Sequence, residues 1–308
     1  MRIIFMGTPN FAVPCLEELL KSEDEVIAVF TQPDKKVGRK QILTASPVKE
    51  LAQKSGVLVY QPTNLKHEET ITLIESLQPD LIVVVAYGKI LPKAILELPP
   101  KGCVNVHSSL LPKYRGAAPI QWSVINGEKI TGITTMYMDE GLDTGDMILK
   151  AETQVDEGET SGELFERLSV IGAELLLETI QKIKLGSAPR EQQNDTEATY
   201  APMLDKSLSA INWSAPAEKI HNLVRGLNPW PVATTLLEGK VLKIYKTRLT
   251  ELHKETQPGQ VISAKPFVVG CGDGAAIEIL EVQMESKKRM SAEDFSRGTK
   301  VKAGAILE

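Results

Sequence analysis

Residues 81–86 read LIVVVA, a run without a polar side chain that leads directly into Tyr87 and Gly88. A short run that is wholly apolar and rich in β-branched side chains is typical of a central strand covered on both faces. We therefore predict that this strand lies inside a parallel sheet with helices on both sides. Ligands of such sheets bind outside the carboxyl ends of the strands, so residues 86–91 are a natural ligand wall.

The beginning of the chain supports the same architecture. Residues 2–6 form a short apolar run that ends at Gly7, residues 11–21 have helical spacing, and residues 26–31 read as a second strand. A strand, a turn, a helix and a strand in this order favour a doubly wound, Rossmann-like α/β sheet. The turn at Gly7 has one glycine where the dinucleotide-binding fingerprint needs three, which argues against NAD or FAD.

Amphipathic spacing predicts further helices, and short apolar runs predict further strands. The helices are expected at residues 47–55, 68–77, 118–126, 161–185 and 217–227, and strands at residues 57–60, 132–138 and 147–152. Five more strands are expected at residues 232–237, 240–248, 259–263, 266–271 and 275–282. Closely spaced short strands of this kind suggest a small β-barrel of the OB type.

The boundaries between domains are predicted from a polar stretch. Residues 186–200 are polar and lack periodicity, which is typical of a linker. We predict an α/β domain over residues 1–189, a linker over residues 190–206, and an OB-like barrel domain over residues 207–308. If the barrel covers little of the first domain, a fragment that ends near Lys206 would fold by itself.

The charge of the chain is distributed unevenly. The formal net charge is −5 over 308 residues, so no overall basic balance indicates nucleic acid. Residues 1–206 carry 21 Lys and Arg against 29 Asp and Glu, whereas residues 207–308 carry 14 against 11. A mildly basic C-terminal third is compatible with RNA, although solvated charge on a small domain would give the same composition.

The cysteines and the apolar runs indicate a cytoplasmic protein. Cys15, Cys103 and Cys271 are far apart and form no metal-binding or redox motif, which favours free buried thiols in a reducing compartment. No window approaches the roughly 20 apolar residues that a membrane-spanning helix needs. The first residues contain too short an apolar run for a secretory signal. We expect neither a metal site nor a membrane segment.

Two motifs carry candidate chemistry. Residues 104–116 read VNVHSSLLPKYRG and residues 139–147 read DEGLDTGDM. Asn105 and His107 are two residues apart, so in an extended segment their side chains point to the same face. With Asp143 to orient the histidine, this set suits acyl-type transfer through a tetrahedral intermediate. An Asn-x-His pair also occurs on ordinary core strands, so the spacing alone leaves that alternative open.

The same motifs carry a resemblance to a known family. With Asn105-x-His107, SLLPKYRGAAP at residues 109–119 and GLDTGD at residues 141–146, the chain closely resembles the methionyl-tRNA formyltransferase family over essentially its whole length. The resemblance implies formyl transfer from 10-formyltetrahydrofolate to the methionine amino group of initiator methionyl-tRNA. It also implies one-carbon chemistry in translation initiation, and we expect a monomer.

The resemblance assigns roles to particular residues. Asn105, His107 and Asp143 are the expected catalytic set. The expected folate contacts are Ala86, Tyr87, Gly88, Ile90, Leu91, Ser109, Leu110, Leu111 and Pro112. Residues 32–46 lack periodicity, which predicts an exposed, flexible loop. The resemblance implies that this insertion reaches the acceptor arm of tRNA. The expected tRNA contacts there and in the second domain are Lys35, Lys36, Arg39, Lys40, Lys206, Lys243, Lys246 and Arg248.

Two other functions compete with this one. A related enzyme that formylates the amino group of a nucleotide-linked sugar would share the Asn-x-His motif and the loop that follows it. A non-catalytic RNA-binding protein on an α/β scaffold is the third possibility. The LDTGDM segment at residues 142–147 and the cationic insertion favour tRNA, and the complete catalytic set argues against a protein that only binds.

Overall fold

The computed structural model describes residues 1–38, 40–253, 256–299 and 301–308. The chain divides into two compact units. The first unit comprises residues 1–116, 132–153 and 165–200, and the second comprises residues 117–131, 154–164 and 201–308. Two segments that precede residue 165 therefore belong to the second unit, although most of that unit follows residue 200.

Most of the longer helices and strands follow the periodicities of the sequence. From the first residue to the second motif they are β1 (Arg2–Gly7), α1 (Val13–Lys21), β2 (Glu25–Phe30), β3 (Lys35–Val37), β4 (Ile42–Thr44), α2 (Pro47–Lys54), β5 (Val59–Tyr60), α3 (Glu68–Ser76), β6 (Leu81–Val85), α4 (Lys93–Leu96), β7 (Cys103–His107), β8 (Arg115–Gly116), α5 (Pro119–Ile125), β9 (Ile130–Tyr137) and β10 (Met147–Gln154). After these come α6 (Ser161–Lys184), β11 (Tyr200–Ala201), α7 (Ala217–Gly226), β12 (Ala233–Leu237), β13 (Lys240–His253), β14 (Val261–Ala264), β15 (Phe267–Gly270), β16 (Ala275–Met284), β17 (Met290–Ser291) and α8 (Ala292–Gly298).

The first unit is built on a sheet with the strand order β10-β9-β7-β6-β1-β2-β5. Five neighbouring strands of this sheet are parallel, in the order β7, β6, β1, β2 and β5. Strand β9 runs antiparallel to β7. Every residue of β6 is buried, as expected of an apolar strand with a strand on either side. Because β6 and β7 are parallel, the segments that follow them leave from the same edge of the sheet.

The second unit contains an antiparallel sheet with the strand order β12-β13-β16-β15-β14. The last residues of the chain join its two edge strands. Leu236 and Glu308 exchange backbone hydrogen bonds of 2.8 and 3.0 Å beside β12, and Val261 of β14 donates to the carbonyl of Ala305 at 2.8 Å. These bonds close the sheet into the small barrel that the five short strands predict.

Helix α5 belongs to the core of the second unit. Its Trp122 and Ile125 pack against the buried cluster that includes Ile220 and Val224 of α7. A Cβ atom on Gly226 of α7 would lie 2.4 Å from Ile125, so glycine permits this close packing of α5 and α7. The predicted domain boundary, which gave residues 118–126 to the first domain, differs from the observed division at this helix.

Helix α7 also binds a segment of the second unit through buried polar side chains. His221 has Nε2 2.9 Å from the carbonyl of Glu157 and Nδ1 2.8 Å from the hydroxyl of Thr247. Arg225 donates to the carbonyls of Asp156 and Glu159, at 3.3 Å each. The backbone of residues 156–159 is therefore held by two side chains of one helix.

The three cysteines are buried, as predicted. Cys15, Cys103 and Cys271 are free and buried, and burial raises the pKa of each thiol to about 12. Within the described residues, no helix combines the length and the apolar character that crossing a membrane requires.

Candidate active site

Asn105 and His107 lie on β7, one strand away from the buried centre of the sheet. Their alternation along the strand puts both side chains on one face, as predicted. Asn105 is half-buried, whereas His107 is only 6% exposed. His107 pairs with Thr134 on β9. The histidine is therefore fixed within the sheet, near the point where the strand ends.

One ring nitrogen of His107 is committed to the backbone. His107 Nε2 lies 3.0 Å from the carbonyl oxygen of Tyr114. Because a carbonyl can only accept, Nε2 carries a hydrogen and donates it. The other nitrogen, Nδ1, faces Asp143, with 3.6 Å between Nδ1 and Oδ2. Nδ1 is therefore the ring nitrogen that is left for chemistry.

The carboxylate of Asp143 connects the predicted catalytic residues. Its Oδ2 accepts a hydrogen bond of 2.8 Å from the backbone N–H of Gly116, and its Oδ1 lies 3.5 Å from Asn105 Nδ2. The distances to Asn105 and His107 exceed those of good hydrogen bonds. Catalytic hydrogen bonds without substrate are often long and shorten in the productive complex. The structure thus brings Asn105, His107 and Asp143 together.

The loop that carries Asp143 has an unusual and well-braced backbone. Asp143 has a φ of 55°, in the left-handed region that few residues other than glycine adopt, although Asp adopts it more readily than most. A Cβ atom on Gly145 would lie 1.8 Å from the carbonyl oxygen of Tyr137, so only glycine fits there. The hydroxyl of Thr144 donates to Asp139 at 2.7 Å. The GLDTGD motif therefore encodes the shape of the loop as well as its carboxylate.

Two buried residues near Asp143 were missed by the sequence analysis. Gln193 donates from Nε2 to the carbonyls of Asp143 and Gly145 at 2.8 and 2.9 Å. Its Oε1 accepts from Nε and Nη2 of Arg115 at 3.0 and 2.8 Å. Gln193 lies within the predicted linker, residues 190–206, which is therefore not a free spacer here. The QQND sequence itself offers no signal for this role.

The turn after β6 presents backbone at the carboxyl edge of the sheet. Ala86 and Gly88 are exposed and have φ angles of 46° and 77°. The carbonyl of Tyr87 accepts from the hydroxyl of Thr8 and from Nε2 of Gln32, at 3.1 Å each. The Tyr87 hydroxyl is buried without a hydrogen-bond partner among the described residues, and burial raises its pKa.

The other predicted folate contacts differ in accessibility. Ile90 is 78% exposed, whereas Leu91 and Leu111 are buried. Leu110 and Pro112 are half-buried. The hydroxyl of Ser109 donates to the carbonyl of Lys113 at 2.6 Å, so it braces its own loop. The role of Ser109 as a folate contact stays a prediction.

The insertion at residues 32–46 contains a small hairpin. Strands β3 and β4 pair antiparallel, with Val37 opposite Ile42. Lys35, Lys36 and Lys40 are exposed, and Arg39 lies outside the described residues. The prediction of a flexible loop here was wrong, because strands of three residues are too short to show periodicity.

A hydrogen-bonded network joins the base of this hairpin to the turn after β6. Lys49 Nζ lies 2.9 and 2.8 Å from the two carboxylate oxygens of Asp34, and it holds the pKa of that carboxyl below its usual range. Gln61 donates to Asp34 at 2.7 Å and to the carbonyl of Gln32 at 2.8 Å. The side chain of Gln32 in turn donates to the carbonyl of Tyr87.

The basic residues of the second unit that are predicted to contact tRNA differ in exposure and in ion pairing. Lys206 and Lys246 are exposed, and Lys243 is half-buried. Arg248 has Nη2 2.5 Å from a carboxylate oxygen of Glu278 on the neighbouring strand. Its charge is therefore largely balanced by a protein carboxylate.

Comparisons with known proteins agree over the whole chain. The family described as Formyl transferase matches residues 1–180, and Formyl transferase, C-terminal domain, matches residues 203–300. The chain is 52% identical over 310 residues to a protein of Acetivibrio thermocellus named methionyl-tRNA formyltransferase, covering 100% of this chain and 99% of that protein. It is 52% identical over 309 residues to a Clostridioides difficile protein of the same name, covering 100% of both.

Solved structures share the fold at lower identity. WlaRD, a sugar 3N-formyl transferase crystallised with dTDP and 5-N-formyl-THF, has a TM-score of 0.68 at 23% identity, covering 94% of this chain and 99% of that chain. An N-formyltransferase from Helicobacter canadensis, in complex with folinic acid and dTDP-3-aminofucose, has a TM-score of 0.67 at 21% identity, covering 92% and 99%. With its fold shared by formyltransferases and about half of its residues identical to full-length relatives, the chain belongs to the methionyl-tRNA formyltransferase family.

Proposed function

We propose that this protein transfers the formyl group of 10-formyltetrahydrofolate to the amino group of methionine on initiator methionyl-tRNA. The observation that carries the proposal is that Asn105 and His107 both lie beside the carboxylate of Asp143. Full-length relatives named for this reaction give the acceptor. Sugar N-formyltransferases named with formylated folates support a folate donor.

The donor fits the carboxyl edge of the first unit's sheet. Exposed backbone at Ala86 and Gly88 and the exposed side chain of Ile90 offer polar groups and an apolar surface to a flat ring. If Leu91 and Leu111 contact the donor through backbone groups, their side chains can stay buried in the protein core. We assign the pterin ring to this wall, beside residues 139–143.

The side chains at β7 supply charge stabilisation and proton transfer. The neutral methionyl amine attacks the formyl carbon, and the formyl oxygen becomes negative as the new C–N bond forms. Asn105 Nδ2 donates to this oxygen, and the ring of His107, whose Nδ1 faces the same site, is the second polar group beside it. Asp143 accepts the proton of the attacking amine, directly or through water, and the proton leaves with the folate nitrogen as its C–N bond breaks.

Contacts to tRNA are assigned to exposed cations of both units. Lys35, Lys36 and Lys40 lie on the hairpin, and Lys206 and Lys246 lie in the second unit. Contacts of Lys and Arg with phosphates supply much of nucleic-acid affinity and weaken with salt. Arg248 contributes less to this set, because Glu278 already balances its charge.

An acceptor assay tests the proposal directly. The protein is incubated with radiolabelled 10-formyltetrahydrofolate and with methionyl initiator tRNA, an amino-sugar nucleotide or buffer alone. Label should enter only the tRNA. Transfer to the sugar nucleotide alone would support the related sugar enzyme, and donor-independent RNA binding without any transfer would support the non-catalytic alternative.

Variants of the three side chains test the mechanism. Asn105→Ala, His107→Ala and Asp143→Ala should each lower turnover by about 10²–10⁴-fold, because each removes an oxyanion donor or a proton carrier. Donor binding, measured by fluorescence, should persist. His67→Ala, at an exposed histidine of the same unit, is the matched control and should keep full turnover. Near-normal turnover of His107→Ala would refute the assigned mechanism.

A further inference from the structure

Gln193 uses all the hydrogen-bonding capacity of its side chain in one place. The side-chain amide has two N–H hydrogens and two acceptor lone pairs. Its hydrogens go to the carbonyls of Asp143 and Gly145, and its lone pairs accept from Nε and Nη2 of Arg115. Gln193 is 7% exposed and Arg115 is 2% exposed. These bonds are therefore protected from water.

Arg115 dictates which way the amide points. A guanidinium group has donors only, so the oxygen of Gln193 must face it and the amide nitrogen must face the loop. Arg115 is itself held by Asp195, whose Oδ1 lies 2.8 Å from its Nη2. The pair therefore presents two N–H donors in a fixed direction to the carbonyls on either side of Thr144.

The loop needs such support at this point. Asp143 has the left-handed φ of 55°, a conformation that is uncommon for residues other than glycine, although Asp adopts it more readily than most. The carboxylate of Asp143 must also stay between Asn105 and His107, each about 3.5 Å away. Misplacement of a reacting group by about 1 Å can cost about 10²-fold in rate.

We propose that Gln193, oriented by Arg115, is a positioning residue that sets the place of the Asp143 carboxylate. The inference rests on the proposed function, since its kinetic consequence is slower formyl transfer. Gln193 touches no reacting atom in this assignment and acts only through Asp143. Its removal should therefore lower kcat while leaving the KM for either substrate nearly unchanged.

Two variants and a neighbouring control measure the effect. Gln193→Ala removes the four hydrogen bonds to Asp143, Gly145 and Arg115. Gln193→Glu keeps acceptors for Arg115 but turns an oxygen toward the two loop carbonyls. Each should lower kcat by about 10–100-fold, with both KM values within about twofold of the wild type. Gln192→Ala, at the exposed neighbour, should behave as wild type. If Gln193→Ala does not fold, Gln193→Glu still tests the inference.

A double-mutant comparison separates positioning from general damage. In an Asp143→Asn background, Gln193→Ala should cause no further loss of kcat, because the group through which it acts has already been disabled. A second readout needs no substrate. The amide of Gly116 donates to Asp143 Oδ2, so its hydrogen exchange should become faster in Gln193→Ala and stay unchanged in Gln192→Ala.

The outcomes distinguish the two proposals. Faster exchange at Gly116 in a protein that does not formylate methionyl-tRNA would support the positioning role and reject the proposed function. An active wild type whose Gln193→Ala and Gln193→Glu variants keep full kcat would overturn the positioning role alone. A loss of kcat that is equally large in the Asp143→Asn background would also overturn it.

Discussion

His107 and His221 are both buried, and each has a partner at both ring nitrogens. His107 faces the carboxylate of Asp143, whereas His221 faces a carbonyl and a hydroxyl. Burial is the largest influence and lowers the pKa of His221. The hydrogen bond to the Glu157 carbonyl raises this pKa, the nearby Arg225 guanidinium lowers it, and the carboxylates of Glu157 and Glu218 raise it by less, so that the pKa is lowered overall. The second unit therefore holds His221 in its neutral form.

The lowered pKa of His221 in the folded protein predicts that stability depends on pH. The unfolded chain binds a proton at His221 near its ordinary pKa of about 6.5, whereas the folded chain binds it only at lower pH. The free energy of unfolding should therefore fall as the pH drops below about 6.5. Urea unfolding between pH 8 and pH 5 measures this, and His221→Gln should reduce the slope. The exposed His253→Gln is the control, and an equal slope in both variants would contradict the assignment.

At the scale of single residues, sequence could identify part of the site. Asn105 and His107 share a face by their spacing, and Asp143 follows a strand in a turn. Gln193 could not be found in this way, because it is 50 residues from Asp143 in a polar stretch without periodicity. Only the folded chain shows that both ends of its side chain are engaged.

Among the elements, the hairpin of β3 and β4 is highly exposed. Its strands have three residues each, and Val37, Ile42 and Leu43 are all more than half exposed. An isolated two-stranded hairpin is marginally stable in water. The ion pair of Asp34 and Lys49 anchors only its base.

Because the hairpin is exposed, protease cleavage can test whether it contacts RNA. Trypsin should cut free protein after Lys35, Lys36 or Lys40, because the hairpin opens readily, and bound initiator tRNA should block these cuts. Mass spectrometry of the fragments measures both rates. An exposed lysine far along the chain, Lys150 on β10, gives an internal control that tRNA should not protect. Equal cleavage of the hairpin with and without tRNA would remove it from the RNA-binding surface.

At the scale of the whole molecule, the two units are interleaved along the chain. Residues 117–131 and 154–164 belong to the second unit, although they precede most of it. A fragment that ends at residue 206 would keep α5 but lose α7 and the barrel core on which Trp122 and Ile125 pack. The predicted fragment boundary therefore cuts through a hydrophobic core.

Truncation should accordingly destabilise the remaining part. We expect the fragment of residues 1–206 to melt at a lower temperature than the full chain and to bind a hydrophobic dye, because α5 exposes apolar surface. Replacing Trp122 by Gln in the fragment should reduce dye binding. Circular dichroism and dye fluorescence measure these effects. A fragment that melts at the same temperature as the full chain, without dye binding, would contradict this account.

The fold was predictable where local periodicity decides the structure. The LIVVVA run identified the centre of the sheet, and the five short strands identified the barrel. The periodicity of α5 indicates that Trp122 and Ile125 are covered, but it does not say by which part of the chain. Closure of the barrel by residues 304–308 was also not predictable, because it depends on backbone bonds between distant segments.

The interleaving of the two units has a consequence for biosynthesis. A ribosome completes α5 about 90 residues before it begins α7, an interval of roughly 5–20 s at ordinary rates of elongation. During that interval the nascent chain carries Trp122 and Ile125 without the core that later covers them. Helix α5 is therefore the segment of the emerging polypeptide that a ribosome-bound chaperone would shield.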